Sequence, residues 1–390
     1  MCHARMRRRT PCRVLRHVDT FAAVPTRRTH RMPRPLASRR IASRPLAPRI
    51  ILRLALPAAL LSLSPAGNAV AQATTPTAAT PSANRAGSSV VDIRFWSQML
   101  GTTKHARVYL PPSYGAGSRR YPVAYYLHGV TGDETNWSNQ GRLAATMDSL
   151  VAAGMPEMIV VMPDGDDSWY TTWNALGNFP ECTRNPPKRE RAENYCVPWP
   201  KYDDYIARDI VAHIDSTYRT IADRSHRGIA GLSMGGYGAV SLALGYPDVF
   251  SAAASHSGVL APLLGMAHDS LPAPTHDAAD IDELRTRWPD YAWPGLSLSF
   301  GGRDMYGWWA RDPLRIARRA LDGGRPLPPL YIDVGASDPF VEESRAFVTG
   351  AKALGESVEY HEWPGTHDWN YWRAHLPESL VWLSGRIAQR

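Results

Sequence analysis

The stretch that most constrains this chain is Gly231-Leu232-Ser233-Met234-Gly235, inside the run RGIAGLSMGGYGAVSLALGY. Before it lies a short apolar segment of strand character; after it comes a run of small and apolar residues of helical character. A serine held between glycines at such a junction has its hydroxyl lifted clear of the sheet. The next N–H, here that of Met234, is aimed where negative charge develops on a reacting oxygen, and the crowded turn tolerates only small neighbours. The five-residue pattern is by itself a modest signal, because a helix start rich in small residues can contain an incidental serine. Its weight comes from the flanking elements and from partners further along the chain.

Apolar runs alternate with amphipathic ones around this turn. HARVYLP (105–111), VAYYLHG (123–129), MIVVMP (158–163), HRGIAGL (226–232), FSAAASHSG (250–258), LSLSF (296–300), PLYIDVG (329–335) and SVEYHEW (357–363) read as strands. Between them, Leu143–Ala152, YDDYIARDIVAHIDSTYR with Ile206, Ile210 and Ile214 at helical spacing, the segment after Ser233, Pro313–Leu321 and Phe340–Leu354 read as helices. Apolar strands alternating with helices imply an α/β fold, a mostly parallel central sheet with helices on both faces. In such sheets the site gathers beyond the carboxyl ends of the strands.

The formal charge of +8 would suggest an anionic partner, but its distribution does not. Residues 1–53 hold fifteen arginines, no lysine and one acid, Asp19; residues 54–71 hold no charge at all. Of the 44 basic and 36 acidic residues this leaves 29 against 35 from Gln72 onward, a balance of −6. The basic character belongs to the leader, and no nucleic-acid partner is expected for the remainder. The leader has the form of an export signal: arginines, an apolar stretch from Leu54 to Leu63, then Ala69-Val70-Ala71 as a cleavage pattern. Broken by Pro57, the apolar stretch is too short to span a membrane. The unusual length of the leader ahead of that stretch suggests Met32 as an alternative start, and Arg39-Arg40 lack the rest of a twin-arginine signal. The expected organisation is a basic leader and signal peptide over 1–71, a disordered Ala/Thr/Pro/Ser linker over 72–89, and one catalytic domain over 90–390. Export places the protein in the periplasm or outside the cell; nothing in the sequence sets an oligomeric state.

Cysteine usage fits that location. Cys2 and Cys12 would leave with the signal, and Cys182 and Cys196 remain, fourteen positions apart. In an oxidising compartment they are expected to form a disulfide closing the polar loop CTRNPPKRERAENYC, a constraint of about 3 kcal/mol in the chain-entropy account. Neither has metal-ligand spacing to a histidine or another cysteine, and the acids of PDGDD (163–167) read as turn-forming rather than as a cation site, so no metal and no cofactor are expected.

A serine hydroxyl needs a base, and the base needs an orienting carboxylate. The elbow predicts the chain order serine, acid, histidine, each beyond a late strand. Asp338 follows PLYIDVG and is favoured over Asp333, inside that strand, and Asp304, in SFGGRD. His367 follows SVEYHEW in a loop after Pro364-Gly365 and is favoured over His361, within the strand, and His375, on the final helix. The oxyanion donors are the N–H groups of Met234 and of Val130, where Gly129 lets the backbone turn inward. His128, at a strand end, reads as scaffold. Aromatic side chains crowd these loops, and at least half of them are expected to be ordinary packing.

YYLHGVTGDETNW, VVMPDGDDSWYTTW, GIAGLSMGGYGAV, LYIDVGASDPF and PGTHDWNYW together resemble the esterase family of α/β-hydrolases. That family includes S-formylglutathione hydrolases (esterase D), tributyrin and feruloyl esterases, and the antigen 85 mycolyltransferases. The resemblance spans about residues 90–386. It implies an α/β-hydrolase fold, Ser233 as nucleophile, Asp338 as carboxylate, His367 as base, and donors at Val130 and Met234. It also implies that Trp169, Tyr170, Trp173 and Trp369 lie near the substrate. The segment between Cys182 and Cys196 departs from the short form of the family pattern. The implied activity is a secreted carboxylesterase acting on short-acyl or aryl esters of the feruloyl or acetyl type, including carbohydrate-linked ones. Acyl transfer to a sugar or lipid alcohol, S-formylglutathione-type thioester hydrolysis and a non-catalytic carbohydrate-binding relative are the competing readings; the intact serine, acid and histidine argue against the last.

Overall fold

The computed structural model describes residues 87–172, 180, 183–184, 196, 200–266, 268 and 274–388. The expected leader, most of the expected linker, Trp173 and Cys182 lie outside the described residues; Cys196 lies within them and is buried.

Eight strands form one sheet: β1 (Ser89–Ser97), β2 (Thr102–Leu110), β3 (Val123–Leu127), β4 (Ile159–Pro163), β5 (Arg227–Leu232), β6 (Ala252–His256), β7 (Leu330–Gly335) and β8 (Val358–Trp363). Their spatial order is β1-β2-β4-β3-β5-β6-β7-β8. The β1–β2 and β2–β4 pairs are antiparallel, and every pair from β4 to β8 is parallel. The main helices are α1 (Leu143–Ala152), α2 (Val211–Thr217), α3 (Met234–Gly245), α4 (Pro313–Asp322), α5 (Val341–Ala353) and α6 (Trp369–Ile387).

The central strands are buried along their whole length, which is why their sequences carry continuous apolar runs rather than alternation. Successive side chains still point to opposite faces. On one face Val123, Tyr125, Leu127 and Ile229 pack with the apolar residues of α3. On the other, Ala124, Tyr126, Ala230 and Leu232 pack with Leu376, Leu380 and Leu383 of α6. The result is the mostly parallel, doubly covered sheet implied by the sequence.

Three elements differ from the sequence reading. LSLSF is not a strand but the end of a helix, Trp293–Phe300. Its leucine–serine alternation mimics a two-residue period, yet Pro294 sits in the first turn, where its fixed φ favours helix. The buried residues Leu296, Ser299 and Phe300 follow the three- and four-residue steps of a helical face. The helix over YDDYIARDIVAHIDSTYR contains a π turn at Tyr205–Ile210 before α2, and the Tyr205 hydroxyl donates to the Asp164 carbonyl at 3.0 Å. Strand β1, not anticipated, pairs with β2 from Ser89↔Leu110 to Ser97↔Thr102, so strand pairing begins at the last residue of the expected linker.

Asp312 caps α4, its carboxylate accepting the Arg315 N–H at 2.9 Å. Burial pushes this carboxyl up to about 6, against about 3.9 in an unfolded chain. Between those values the folded state holds the proton more tightly, so stability falls as pH rises through the window. Asparagine keeps the capping acceptor without the charge. Asp312→Asn is therefore expected to be about 1–2 kcal/mol more stable than the parent at pH 8 and nearly equal to it at pH 4, measured by urea unfolding at the two pH values.

Candidate active site

Ser233 occupies φ 55°, ψ −120° at the junction of β5 and α3, a backbone region that non-glycine residues seldom adopt. The two flanking glycines explain why the turn can be this tight. A methyl group on Gly231 would lie 2.3 Å from the Gly235 carbonyl oxygen, and one on Gly235 would lie 2.4 Å from the Leu127 carbonyl oxygen. Both collisions are with backbone, which cannot swing aside. The Ser233 N–H donates to the His256 carbonyl at 2.9 Å, tying the turn to the end of β6.

Two later strands deliver the partners. After β7 the chain makes a tight turn in which the Asp338 N–H donates to Gly335 O and the Phe340 N–H donates to Asp338 Oδ1, both at 2.9 Å. The other carboxylate oxygen, Asp338 Oδ2, lies 2.9 Å from His367 Nδ1, and His367 Nε2 lies 2.9 Å from Ser233 Oγ. Asp338 is buried. The imidazole is held edge-on between Phe340 and Trp372, at ring separations of 5.0 and 4.9 Å. Serine, histidine and aspartate thus form one hydrogen-bonded line. The competitors are elsewhere. Asp333 is fully buried beside His256, at 2.7 Å, and accepts the Tyr371 hydroxyl. Asp304 accepts the Tyr306 N–H, His361 lies beside Glu359, and His375 stacks on Trp363.

The loop after β3 lies against the turn: a methyl group on Gly129 would be 3.3 Å from Ser233 Cβ. Among the described residues the N–H groups of Val130 and Met234 have no protein acceptor. Val130 is exposed, and Met234 is buried at the start of α3.

The four aromatic residues expected near a substrate have different settings. Tyr170 is buried, its ring filling the slot left by Gly165 and Gly238 and its hydroxyl donating to the His128 carbonyl at 3.1 Å. Trp169, at φ 55°, packs edge-on against Tyr237 and Phe300. Trp369 is half-buried and meets Trp137 and Trp372 edge-on at 5.5 and 5.3 Å. Trp173 lies outside the described residues. Phe340, which touches the imidazole, carried no signal in the sequence beyond its place after Asp338.

The acids of PDGDD are committed to the scaffold. Lys104, buried on β2, lies 3.0 Å from Asp164 Oδ2 and 2.5 Å from Asp166 Oδ2. Burial works against the ammonium, but these two carboxylates outweigh it and raise its pKa. Burial likewise opposes the charge on Asp164, but Lys104, His128 and the Asp166 N–H together outweigh it, holding that carboxyl well below the usual range. The third acid, Asp167, accepts the Thr131 N–H at 2.5 Å. Among the described residues no group of three or more potential ligands could hold a metal ion, and no helix is long and apolar enough to cross a membrane.

Residues 97–383 match the family described as "Putative esterase". The chain belongs to this esterase family. It is 32% identical over 167 residues to an endo-1,4-beta-xylanase/feruloyl esterase of Xylanibacter ruminicola, across 42% of this chain and 20% of that protein. It is 31% identical over 294 residues to esterase Rv1288 of Mycobacterium tuberculosis, across 70% of this chain and 54% of that one. The chain thus spans between a fifth and about half the length of these relatives. An S-formylglutathione hydrolase from Agrobacterium tumefaciens shares the α/β fold, with a TM-score of 0.57 and 20% identity, covering 78% of this chain and 98% of that one.

In this esterase-family protein the elbow glycines give a direct test. Gly235→Ala is expected to lower the melting temperature by at least several degrees and to abolish labelling of Ser233 by a fluorophosphonate probe, because the added methyl meets the carbonyl oxygens of Leu127 and His128. Thermal unfolding and probe labelling of the purified variant check both outcomes.

Proposed function

We propose that this protein is an exported serine carboxylesterase that hydrolyses short-acyl or aryl esters of the acetyl or feruloyl kind. The observation that carries the reading is the continuous line Asp338–His367–Ser233, with both links at 2.9 Å. His367 Nε2 takes the proton from Ser233 Oγ as that oxygen attacks the ester carbonyl. Asp338, bonded to Nδ1, keeps the ring in the tautomer whose Nε2 is a base and stabilises the imidazolium that forms. The N–H groups of Met234 and Val130 receive the negative oxygen of the tetrahedral intermediate. The imidazolium then protonates the departing alcohol, and water activated by the same histidine releases the acid from Ser233. The feruloyl esterase named among the relatives supports the aryl side of this reading.

Export is part of the proposal. The leader has the pattern of a cleaved signal, and Cys196, buried and disulfide-bonded, supports a pairing with Cys182 in an oxidising compartment. The protein recovered from the producing cell should begin near Gln72 by N-terminal sequencing; a chain that retains Arg49 to Arg53 would contradict export by this route.

The catalytic assignment is tested on p-nitrophenyl acetate, butyrate and octanoate together with a feruloyl ester. Ser233→Ala should lose at least ~10⁴-fold in kcat/KM, and Asp338→Asn about 10³–10⁴-fold, each with a melting temperature close to that of the parent. Undiminished turnover by Ser233→Ala would overturn the assignment.

A further inference from the structure

We propose that Asp167 is a positioning residue that sets the oxyanion-binding backbone at Gly129–Val130 by holding the Thr131 N–H. The inference rests on the serine-esterase reading above and adds to it the group that shapes the oxyanion site.

The backbone from His128 to Gly132 is held largely from one side, by the loop that follows β4. The Tyr170 hydroxyl donates to the His128 carbonyl, the Gly165 N–H donates to His128 Nε2 at 2.9 Å, and the Thr131 N–H donates to Asp167 Oδ1 at 2.5 Å. With Nε2 accepting, His128 Nδ1 carries the proton and donates to the Gly129 carbonyl at 2.8 Å. The same carbonyl accepts the Gly132 N–H at 3.0 Å. A trans peptide is planar, so its N–H points opposite to its C=O. With Gly129 O turned toward His128 and Gly132, the Val130 N–H points away from them, and Ser233 lies beside Gly129.

The next peptide is where Asp167 acts. Thr131 sits at φ 63°, a left-handed conformation that is unfavourable for a β-branched residue. Such strain persists only where the surroundings over-determine it. The short, charge-assisted bond from the Thr131 N–H to the carboxylate supplies that constraint. Asp167 is itself buried, in a loop braced at Asp164 and Asp166 by Lys104. Loss of the carboxylate removes that constraint and favours relaxation of Thr131 toward negative φ, a rotation that carries the adjoining Val130 peptide with it. The substrate would still bind, but the oxyanion would meet a displaced donor.

The test compares Asp167→Ala with Asp167→Asn in the full chain, using p-nitrophenyl butyrate and an aryl trifluoromethyl ketone, which forms a tetrahedral oxyanion on the serine. Asp167→Ala should lower kcat by ~10–100-fold with KM within about twofold, the signature of an interaction made in the transition state. Affinity for the ketone should weaken by a similar factor. Asp167→Asn, which keeps an acceptor oxygen, should restore most of the rate. Thr131→Gly, which adopts positive φ without strain, should recover part of it when combined with Asp167→Ala. If Asp167→Ala does not fold, Asp167→Ser gives the same reading with a side chain too short to reach Thr131. Unchanged kcat in Asp167→Ala, or no rescue by asparagine, overturns the positioning role while leaving Ser233 as the nucleophile. A parent protein whose Ser233 resists a fluorophosphonate probe overturns the serine-esterase reading, and this proposal with it.

Discussion

Ser233 can occupy its positive φ because the backbone on either side comes into direct contact with other backbone. The position a Gly235 side chain would take is filled by the carbonyl oxygens of Leu127 and His128, and that of Gly231 by Gly235 itself. These contacts do more than permit a tight turn. They press the end of β3 and the start of its loop against the turn, while the bond from the Ser233 N–H to the His256 carbonyl fixes the end of β6 on the other side. The hydroxyl, the Met234 N–H and the Gly129–Val130 backbone therefore belong to one rigid piece. Preorganisation of this kind lets oxyanion donors act without reorganising as charge develops.

Two buried polar clusters brace that piece. Lys104 with Asp164 and Asp166 anchors the loop after β4, whose Tyr170, Gly165 and Asp167 in turn hold the loop after β3. On the opposite face of the sheet, Asp333 and His256 sit 2.7 Å apart with no exposure to solvent, and each is tied to α6, through Tyr371 and Ser379. The desolvation of buried charges offsets much of their attraction, so such pairs contribute less to stability than to a defined arrangement. Here the second cluster fixes α6 against β6 and β7. Asp368 caps that helix by accepting the N–H groups of Asn370 and Tyr371, and His367 directly precedes the cap. The position of the imidazole thus follows from packing well behind it.

Much of this was legible in the amino-acid order. Seven strands, the α3 helix after the serine and the sequence Ser233, Asp338, His367 were readable because each depends on local properties: an apolar run, small residues at a turn, a polar residue just past a strand. LSLSF misled because leucine and serine alternate over a helix whose buried face takes Leu296 and Phe300, two of the three positions that a strand would have buried. Strand β1 was overlooked although Val91, Ile93 and Phe95 do alternate with charged residues, because it stands at the sheet edge, where its pattern is diluted by exposed Val90 and Trp96.

The order of residues alone determined the chemistry on offer: a serine in a crowded turn, a carboxylate and a histidine beyond later strands, and an arginine-rich stretch over 1–53 distinct from a mildly acidic remainder. Only the tertiary structure decided which aspartate faces the histidine, that Tyr170 supports a backbone carbonyl, and that the PDGDD acids are bound to Lys104 and Thr131. The physical reason is reach. Strand and turn propensities act over a few neighbouring residues, whereas hydrogen bonds and ion pairs join groups brought together by the sheet order from positions 29 to 134 residues apart.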